Sequence, residues 1–220
     1  MSFEICLFDL DGTLTDPKVG ITKSFQYALS AFGIHEQLDN LMRFIGPPLR
    51  ESFMVSYGFS ESETENAVEK FREYYAKTGV FENAVYPEIP GLLQQLGESG
   101  RILAVATSKA KFYADIILKH FDIDKHFSFV SGDEMDGSLT KTGKREIIRI
   151  ALESLDPERE KAAIMIGDRK HDVNGAREAG IESIGITWGY GSRDELESAG
   201  ATRIADSAAE VYRIIIDVES

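Results

Sequence analysis

The sequence predicts an α/β fold, with a Rossmann-like three-layer core around a parallel sheet and a small helical cap domain inserted after the first strand. Two observations favour this fold. Short apolar runs alternate with amphipathic helical patterns along most of the chain, which is typical of crossover units in a parallel sheet. The runs are continuously apolar rather than alternating, as in strands that are covered on both faces. A chain of 220 residues can build such a core and a smaller companion domain.

The first strand candidate covers residues 3–10, where an apolar run ends in acidic residues and Gly12. The repeating strand and helix pattern then resumes near residue 91 and continues to the end of the chain. Further strand candidates lie at 101–107, 127–131, 162–167 and 183–187, with a weaker one at 202–205. Helical patterns lie at 91–98, 111–120, 144–154, 173–179 and 208–218.

Residues 16–83 interrupt this pattern, because they contain helical patterns without a convincing strand. Ile21, Phe25 and Leu29 share one helical face, and Gly33 is predicted to stop that helix. This part of the chain therefore favours a helical insert.

The insert defines the predicted domains. Ser60 and Glu63 form a capping-box pair that starts another helix of the insert. We predict an α/β core domain of residues 1–15 and 84–220 and a helical cap domain of residues 16–83. A helical module that follows the first strand is suited to act as a lid over the carboxyl edge of the sheet.

The charge balance excludes two classes of partner. Lys and Arg together number 24 and Asp and Glu 37, which gives a net charge of −13. Proteins that bind nucleic-acid backbones or anionic membranes nonspecifically are basic instead. No apolar run approaches the roughly 20 residues of a membrane span. We therefore expect neither a nucleic-acid nor a membrane partner.

The cysteine content and the N-terminal residues favour the cytoplasm. Cys6 is the only cysteine, so no disulfide forms within the chain. The N-terminal residues include acids where a signal peptide carries bases. We expect a cytoplasmic protein that is a monomer or a weak homodimer.

Polar side chains cluster at the carboxyl ends of the predicted strands, which is where open α/β sheets bind ligands. Several carboxylates with few histidines or cysteines offer hard oxygen ligands and favour Mg²⁺ over zinc. A lysine and a hydroxyl beside them suit phosphate oxygens. The set comprises Asp9, Asp11, Gly12 and Thr13 after the first strand, Thr107, Ser108 and Lys109 after the second, Asp168 and Asp172 after the fourth, and Lys141 and Lys144 before that strand.

Four motifs, in their order along the chain, resemble the haloacid dehalogenase superfamily of phosphohydrolases: FDLDGTLTD, VATSK, a lysine that opens a helix, and IGDRKHD. The pairing of DxDGT with GDxxxD is the most specific part of this resemblance. The segments RFIGPPLRESF and TWGYGSRDELESAGA resemble the phosphoglycolate phosphatase-like branch. The resemblance covers essentially the whole chain. It implies a Mg²⁺-dependent phosphatase acting on a small phosphorylated metabolite.

The resemblance also implies roles for the matching residues. Asp9 would attack phosphorus and form an aspartyl-phosphate, and Asp11 would act as general acid and then as general base. The Thr107 hydroxyl and the Ser108 main-chain N–H would hold the phosphoryl group. Lys144 would neutralise the phosphoryl charge and hold the nucleophile.

Two assignments leave alternatives open. Many relatives have a Lys-Pro pair that this chain lacks, so Lys141 is the alternative to Lys144 as the active-site lysine. The resemblance implies that Mg²⁺ is held by the side chains of Asp9 and Asp168 and by the main-chain carbonyl of Asp11. Asp172 either joins this set as a direct ligand or contacts the ligand residues without touching the metal itself.

Substrate contacts are expected from Gly12, Ser108, Lys109 and, in the cap domain, Arg50. Gly12 leaves room for a close approach of the main chain to a ligand. The alternative for Arg50 is a cation that only covers apolar surface. Trp188 and Tyr190 are interpreted as packing residues.

Phosphoglycolate is the first substrate candidate and a nucleoside monophosphate is the second, which would make the protein a 5'-nucleotidase. A sugar phosphomutase on the same scaffold is an alternative that needs a longer-lived aspartyl-phosphate. A phospho-receiver signalling domain is the non-enzyme alternative. The large separation of the two acidic motifs and the helical insert weigh against the receiver.

Overall fold

The computed structural model describes residues 3–139, 143–155 and 162–216. The chain divides into two compact units, one of Met1–Thr15 with Val85–Ser220 and one of Asp16–Ala84. Within the described residues, no helix is both long enough and apolar enough to span a bilayer.

The strands of the described residues are β1 (Ile5–Phe8), β2 (Thr15–Asp16), β3 (Ala84–Val85), β4 (Ile102–Ala110), β5 (Phe129–Asp133), β6 (Ala163–Gly167), β7 (Glu182–Ile186) and β8 (Arg203–Ala205). Their α-helices are α1 (Lys18–Ser30), α2 (Leu38–Leu41), α3 (Leu49–Tyr57), α4 (Glu61–Tyr74), α5 (Ile89–Glu98), α6 (Lys111–His120), α7 (Arg145–Leu155), α8 (Lys170–Ala179), α9 (Arg193–Ala199) and α10 (Ala208–Ile216). Two 3₁₀-helices, Met42–Phe44 and Asp124–His126, and a π-helical turn, Tyr75–Gly79, complete the helical elements.

The larger unit contains a six-stranded parallel sheet in the order β5-β4-β1-β6-β7-β8. β1 lies at its centre, and Phe8 pairs with Val105 of β4 on one side and with Ile166 of β6 on the other. All four residues of β1 are buried, which explains why the run is apolar throughout. The predicted α/β fold with its parallel sheet is confirmed.

Helices cover this sheet. Residues of α7 and α8 pack against alternate residues of the central strands, whereas α5 packs against β4 and against α10. The first of these layers is an aliphatic core of Ile5, Leu7, Ala104, Ala106, Ile147, Ile148, Ala151, Leu152, Ala163, Met165 and Ala176.

The smaller unit is helical and has an aromatic core. Phe25 of α1 contacts three other rings, with centroid distances of 4.9 Å to Phe44, 5.0 Å to Phe53 and 5.1 Å to Phe71. The capping box that Ser60 forms with Glu63 at the start of α4 is present as predicted.

Several boundaries differ from those predicted. α1 ends at Ser30 rather than at Gly33, which follows in a turn with a φ of +71°. The two-residue strands β2 and β3 were not predicted, and they pair with each other where the chain passes between the units. α9 was also missed, because its seven residues bury only Leu196 and therefore lack an apolar period.

Candidate active site

The chain turns sharply after β1, and this turn carries the first two predicted catalytic residues. The main-chain N–H groups of Thr13, Leu14 and Thr15 all donate to the carbonyl of Leu10. Gly12 takes a φ of +88°, which a residue with a side chain rarely adopts. Asp9 lies just before this turn and Asp11, Gly12 and Thr13 lie within it, and all are buried.

The parallel register brings the other predicted residues to the same edge of the sheet. Asp168 follows directly after β6, beside the end of β1. Asp172 lies in the first turn of α8, where its Oδ2 accepts a hydrogen bond of 3.0 Å from the main-chain N–H of Arg169. Thr107 is a buried residue of β4, the neighbour of β1 on the other side.

Lys144 lies directly before α7 and is only 3% exposed. Its Nζ lies 2.7 Å from Asp9 Oδ1 and also forms an ion pair with Asp172 Oδ1. Burial lowers the pKa of Lys144, but the carboxylates of Asp172 and Asp9 outweigh burial and hold this pKa above its ordinary value. The residue is therefore a cation that bridges two of the acids. Its alternative, Lys141, lies outside the described residues.

The side chains of Asp9, Asp168 and Asp172 form a candidate metal centre. They are all buried, and one carboxylate oxygen from each lies within 4.8 Å of the others. Three ionised carboxylates and the Lys144 ammonium sum to −2, which a divalent cation neutralises. The donor set is all oxygen, as hard cations such as Mg²⁺ prefer. These residues therefore fit the Mg²⁺ ion that the sequence predicts. The predicted contact of the main-chain carbonyl of Asp11 with that ion stays a prediction.

The crowding of acids shows in their pKa values. Burial and the neighbouring carboxylates of Asp172 and Asp9 raise the pKa of Asp168 to about 8. Burial raises the pKa of Asp172 to about 6, although the Lys144 ammonium acts in the opposite direction. Both carboxyl groups thus bind protons more readily than an exposed aspartate, whose pKa is about 3.9.

These pKa values predict how the stability of the metal-free protein depends on pH. The folded chain binds more protons than the unfolded chain between about pH 4 and about pH 8, so its free energy of unfolding falls as pH rises through that window. In EDTA we expect a lower Tm at about pH 8 than at about pH 5, and a larger gain from Mg²⁺ at the higher pH.

Thermal unfolding followed by circular dichroism, with and without Mg²⁺, measures both effects. Asp168→Asn should flatten the pH dependence, whereas Asp115→Asn, a change at a partly exposed position of α6, should keep it. A metal-free Tm that rises from about pH 5 to about pH 8 contradicts this interpretation.

Asp11 has a different partner from the other acids. Its Oδ2 accepts from Lys109 Nζ, whereas its Oδ1 is buried and has no hydrogen-bond partner among the described residues. Burial raises the pKa of Asp11, and the Lys109 ammonium opposes this rise. The main-chain N–H of Lys109 also donates to the hydroxyl oxygen of Thr107 at 3.2 Å. The structure thus brings Asp11, Lys109 and Thr107 together.

Two of the predicted substrate contacts occupy unexpected surroundings. A Cβ at Gly12 would lie 2.3 Å from Asp168 Oδ2, so the space beside Gly12 is taken by a carboxylate of the protein. Arg50 belongs to the helical unit, where its guanidinium forms an ion pair with Glu65 and lies 3.9 Å from Glu61. The substrate contacts of Gly12, Ser108, Lys109 and Arg50 stay predictions.

The 187–192 loop, which follows β7, contributes contacts that the sequence did not reveal. The main-chain N–H of Tyr190 donates to Asp168 Oδ2 at 2.7 Å, and the indole N–H of Trp188 donates to the carbonyl of Thr13 at 3.2 Å. These hydrogen bonds add to the packing role that the sequence predicts for both residues, which stays a prediction. The sequence signal was the pair of glycines at 189 and 191, but a main-chain donor leaves no side-chain pattern to recognise.

The haloacid dehalogenase-like hydrolase family model matches residues 6–186, which include Asp9, Asp11, Asp168 and Asp172. The chain belongs to this family. A predicted phosphatase from Clostridium acetobutylicum has a solved structure that matches with a TM-score of 0.93 and 43% identity, over 99% of this chain and 100% of that one. The resemblance seen in the sequence motifs is confirmed, and the protein is a phosphoric monoester hydrolase of the haloacid dehalogenase-like family.

Three curated relatives span most of the chain. A 5'-nucleotidase of Pseudomonas aeruginosa is 46% identical over 95% of this chain and 94% of its own length. The tyrosine-protein kinase PtkA of Mycobacterium tuberculosis is 38% identical over 93% of this chain and 69% of its own length. A phosphoglycolate phosphatase of Aquifex aeolicus is 32% identical over 84% of this chain and 85% of its own length.

Proposed function

We propose that this haloacid dehalogenase-like hydrolase is a Mg²⁺-dependent phosphatase that hydrolyses a small phosphomonoester through a phosphate ester of Asp9. The observation that carries the proposal is the buried group of Asp9, Asp168, Asp172 and Lys144 at the carboxyl edge of the sheet. When all are ionised, three carboxylates and one lysine leave a net negative charge that a divalent cation balances. The phosphate group of the substrate would then meet a neutral site instead of a negative one.

In the first step, a carboxylate oxygen of Asp9 bonds to phosphorus while the bond from phosphorus to the leaving oxygen breaks. The ion pair with Lys144 holds the attacking carboxylate in place. Asp11 gives its proton to the leaving alkoxide, and burial, which raises the pKa of Asp11, supports its acid form. The alcohol departs, and Asp9 carries the phosphoryl group.

In the second step, Asp11 takes a proton from water while the water oxygen bonds to phosphorus. The bond between phosphorus and Asp9 breaks, inorganic phosphate leaves, and Asp9 is again a carboxylate. The hydroxyl of Thr107 is proposed to hold the phosphoryl oxygens during both steps. A cation held by Asp9, Asp168 and Asp172 supplies positive charge for those oxygens when it is bound.

Nucleoside 5'-monophosphates are the first substrates to test, and phosphoglycolate is the second. The sequence alone put phosphoglycolate first; the 46% identity to a 5'-nucleotidase, against 32% to a phosphoglycolate phosphatase, supports the opposite order. We keep the cytoplasm as the proposed compartment and a monomer or weak homodimer as the proposed state.

A panel of phosphomonoesters tests the proposal. Nucleoside 5'-monophosphates, phosphoglycolate, a hexose 1-phosphate and a phosphotyrosine peptide are each incubated with Mg²⁺ or with EDTA, and released phosphate is measured. We expect phosphate release from at least one small phosphomonoester in Mg²⁺ and less than about a hundredth of that rate in EDTA. Equal rates of phosphate release in EDTA and in Mg²⁺, or no release from any compound, would contradict the proposal.

A transfer reaction is the second candidate, because the relative PtkA is named a tyrosine-protein kinase. A phosphoryl group on Asp9 can pass to an acceptor hydroxyl instead of water, as a mutase or a phosphotransferase requires. Product analysis with a hexose 1-phosphate, and with ATP and a tyrosine peptide, separates the outcomes. The phospho-receiver alternative is set aside, because the family is one of hydrolases.

A further inference from the structure

The 187–192 loop contacts Asp168 although about twenty residues separate the two along the chain. Asp168 follows β6 and the loop follows β7, and these strands are neighbours in the sheet. Tyr190 N–H donates to Asp168 Oδ2 at 2.7 Å, and the Thr13 hydroxyl donates to Asp168 Oδ1 at 3.3 Å. Each carboxylate oxygen of Asp168 therefore has its own protein donor.

Two glycines of the loop allow this contact, because a side chain at either position would clash with Asp168. A Cβ at Gly189 would lie 2.3 Å from Asp168 Cβ, and a Cβ at Gly191 would lie 1.9 Å from the main-chain oxygen of Asp168. Neither glycine has a positive φ, whereas Gly12 does. Gly189 and Gly191 are therefore required for the close approach of two chain segments and not for an unusual backbone conformation.

Hydrogen bonds hold the chain on both sides of Tyr190. Before it, the indole N–H of Trp188 donates to the carbonyl of Thr13 at 3.2 Å, in the turn that also carries the Thr13 hydroxyl. After it, Glu195 of α9 accepts from Arg169 Nε at 3.0 Å and from the main-chain N–H of Lys170 at 2.9 Å. The loop and α9 thus bind the segment that contains Asp168 from two directions.

We propose that the 187–192 loop is a positioning element that holds the carboxylate of Asp168 in the orientation that binds the divalent cation. This inference rests on the proposed function. Asp168 is fully buried beside two other acids, and repulsion between like charges turns a loosely held carboxylate away from its neighbours. Donors that fix such a ligand are worth 10- to 100-fold in metal affinity at other metal sites.

Two variants test the loop by different routes. Gly189→Ala adds one methyl group against Asp168, and Trp188→Phe removes the indole N–H that donates to Thr13 while keeping a smaller aromatic ring. Gly97→Ala is the matched control, because a Cβ there meets open space on α5 and its φ is not positive. Binding of Mg²⁺ to metal-free protein is measured by calorimetry, and kcat and KM are measured as Mg²⁺ is varied.

We expect Gly189→Ala to weaken Mg²⁺ binding at least about 10-fold and Trp188→Phe about 5-fold, as for one lost hydrogen bond. At saturating Mg²⁺, kcat should return to within about 2-fold of the control, and the substrate KM should be unchanged. A merely structural role would lower kcat at every Mg²⁺ concentration instead.

The loop proposal is overturned if both variants bind Mg²⁺ as tightly as Gly97→Ala does. If Gly189→Ala does not fold, as judged by circular dichroism, Trp188→Phe decides alone. A wild-type protein that binds no Mg²⁺ overturns the proposed function together with this inference. Normal binding by the wild type and by both variants overturns the loop inference alone, so the two failures are distinguishable.

Discussion

Replacing Asp9 by Asn is expected to lower kcat by at least about 10⁴-fold, because the amide cannot form the bond to phosphorus that starts the reaction. The substitution keeps the shape of the side chain and removes one carboxylate from the buried group of three, two of which pair with Lys144. We therefore expect the metal-free variant to unfold at the same or a higher urea concentration than the wild type. Loss of activity then reports on chemistry and not on folding.

Steady-state phosphate release from the best substrate of the panel measures the effect. Asp115→Asn is the matched control, because Asp115 pairs with Lys111 on the exposed side of α6. This control should keep wild-type kcat and KM. An Asp9→Asn variant that retains more than about a hundredth of wild-type kcat contradicts the assignment of Asp9 as nucleophile.

Lys144→Met is expected to lower stability and activity together, which no other substitution of the site should do so strongly. The ammonium is buried and pairs with Asp9 and Asp172. Its removal leaves the buried carboxylates of Asp9 and Asp172 without their shared counter-charge, at a cost of about 3–5 kcal/mol in the free energy of unfolding of metal-free protein at neutral pH. The loss of a cation beside the phosphoryl group should also lower kcat by about 10²- to 10³-fold.

Urea unfolding in EDTA measures the stability loss, with Lys119→Met as control because Lys119 is exposed at the end of α6. The cost should shrink as pH falls through about 6, where Asp172 takes up a proton, and it should also shrink in Mg²⁺. A loss of less than about 1 kcal/mol at neutral pH contradicts the electrostatic role given to Lys144. Activity close to the wild type would point instead to Lys141.

The parts of the fold and site that the sequence revealed are those with a strong local pattern. β1 and β6 are fully buried, so their apolar runs showed where each strand ends to within two residues of Asp9 and Asp168. The same parallel edge then brought together acids that lie 159 positions apart, 9 and 168. The start of a helical pattern offered both Lys141 and Lys144, and the structure places the Nζ of Lys144 between two acids.

The parts that the sequence did not reveal depend on contacts between distant main-chain segments. Tyr190 acts through its main-chain N–H, which every residue but proline possesses, so its identity carries no signal. Gly189 is explained by the position of Asp168, 21 residues before it, and no local rule shows that proximity. The ion pair of Lys109 with Asp11 was missed because the sequence placed both residues at one edge of the sheet but assigned Lys109 to the substrate.

The stereochemical course at phosphorus tests the central claim most directly, namely that the phosphoryl group passes through Asp9. A phosphorothioate monoester made chiral with ¹⁸O is hydrolysed in ¹⁷O-labelled water, and the configuration of the released thiophosphate is determined. Transfer to Asp9 and then to water comprises two in-line displacements, each of which inverts phosphorus, so the account predicts net retention. Net inversion would show that water attacks the substrate directly, and it would contradict the role of Asp9.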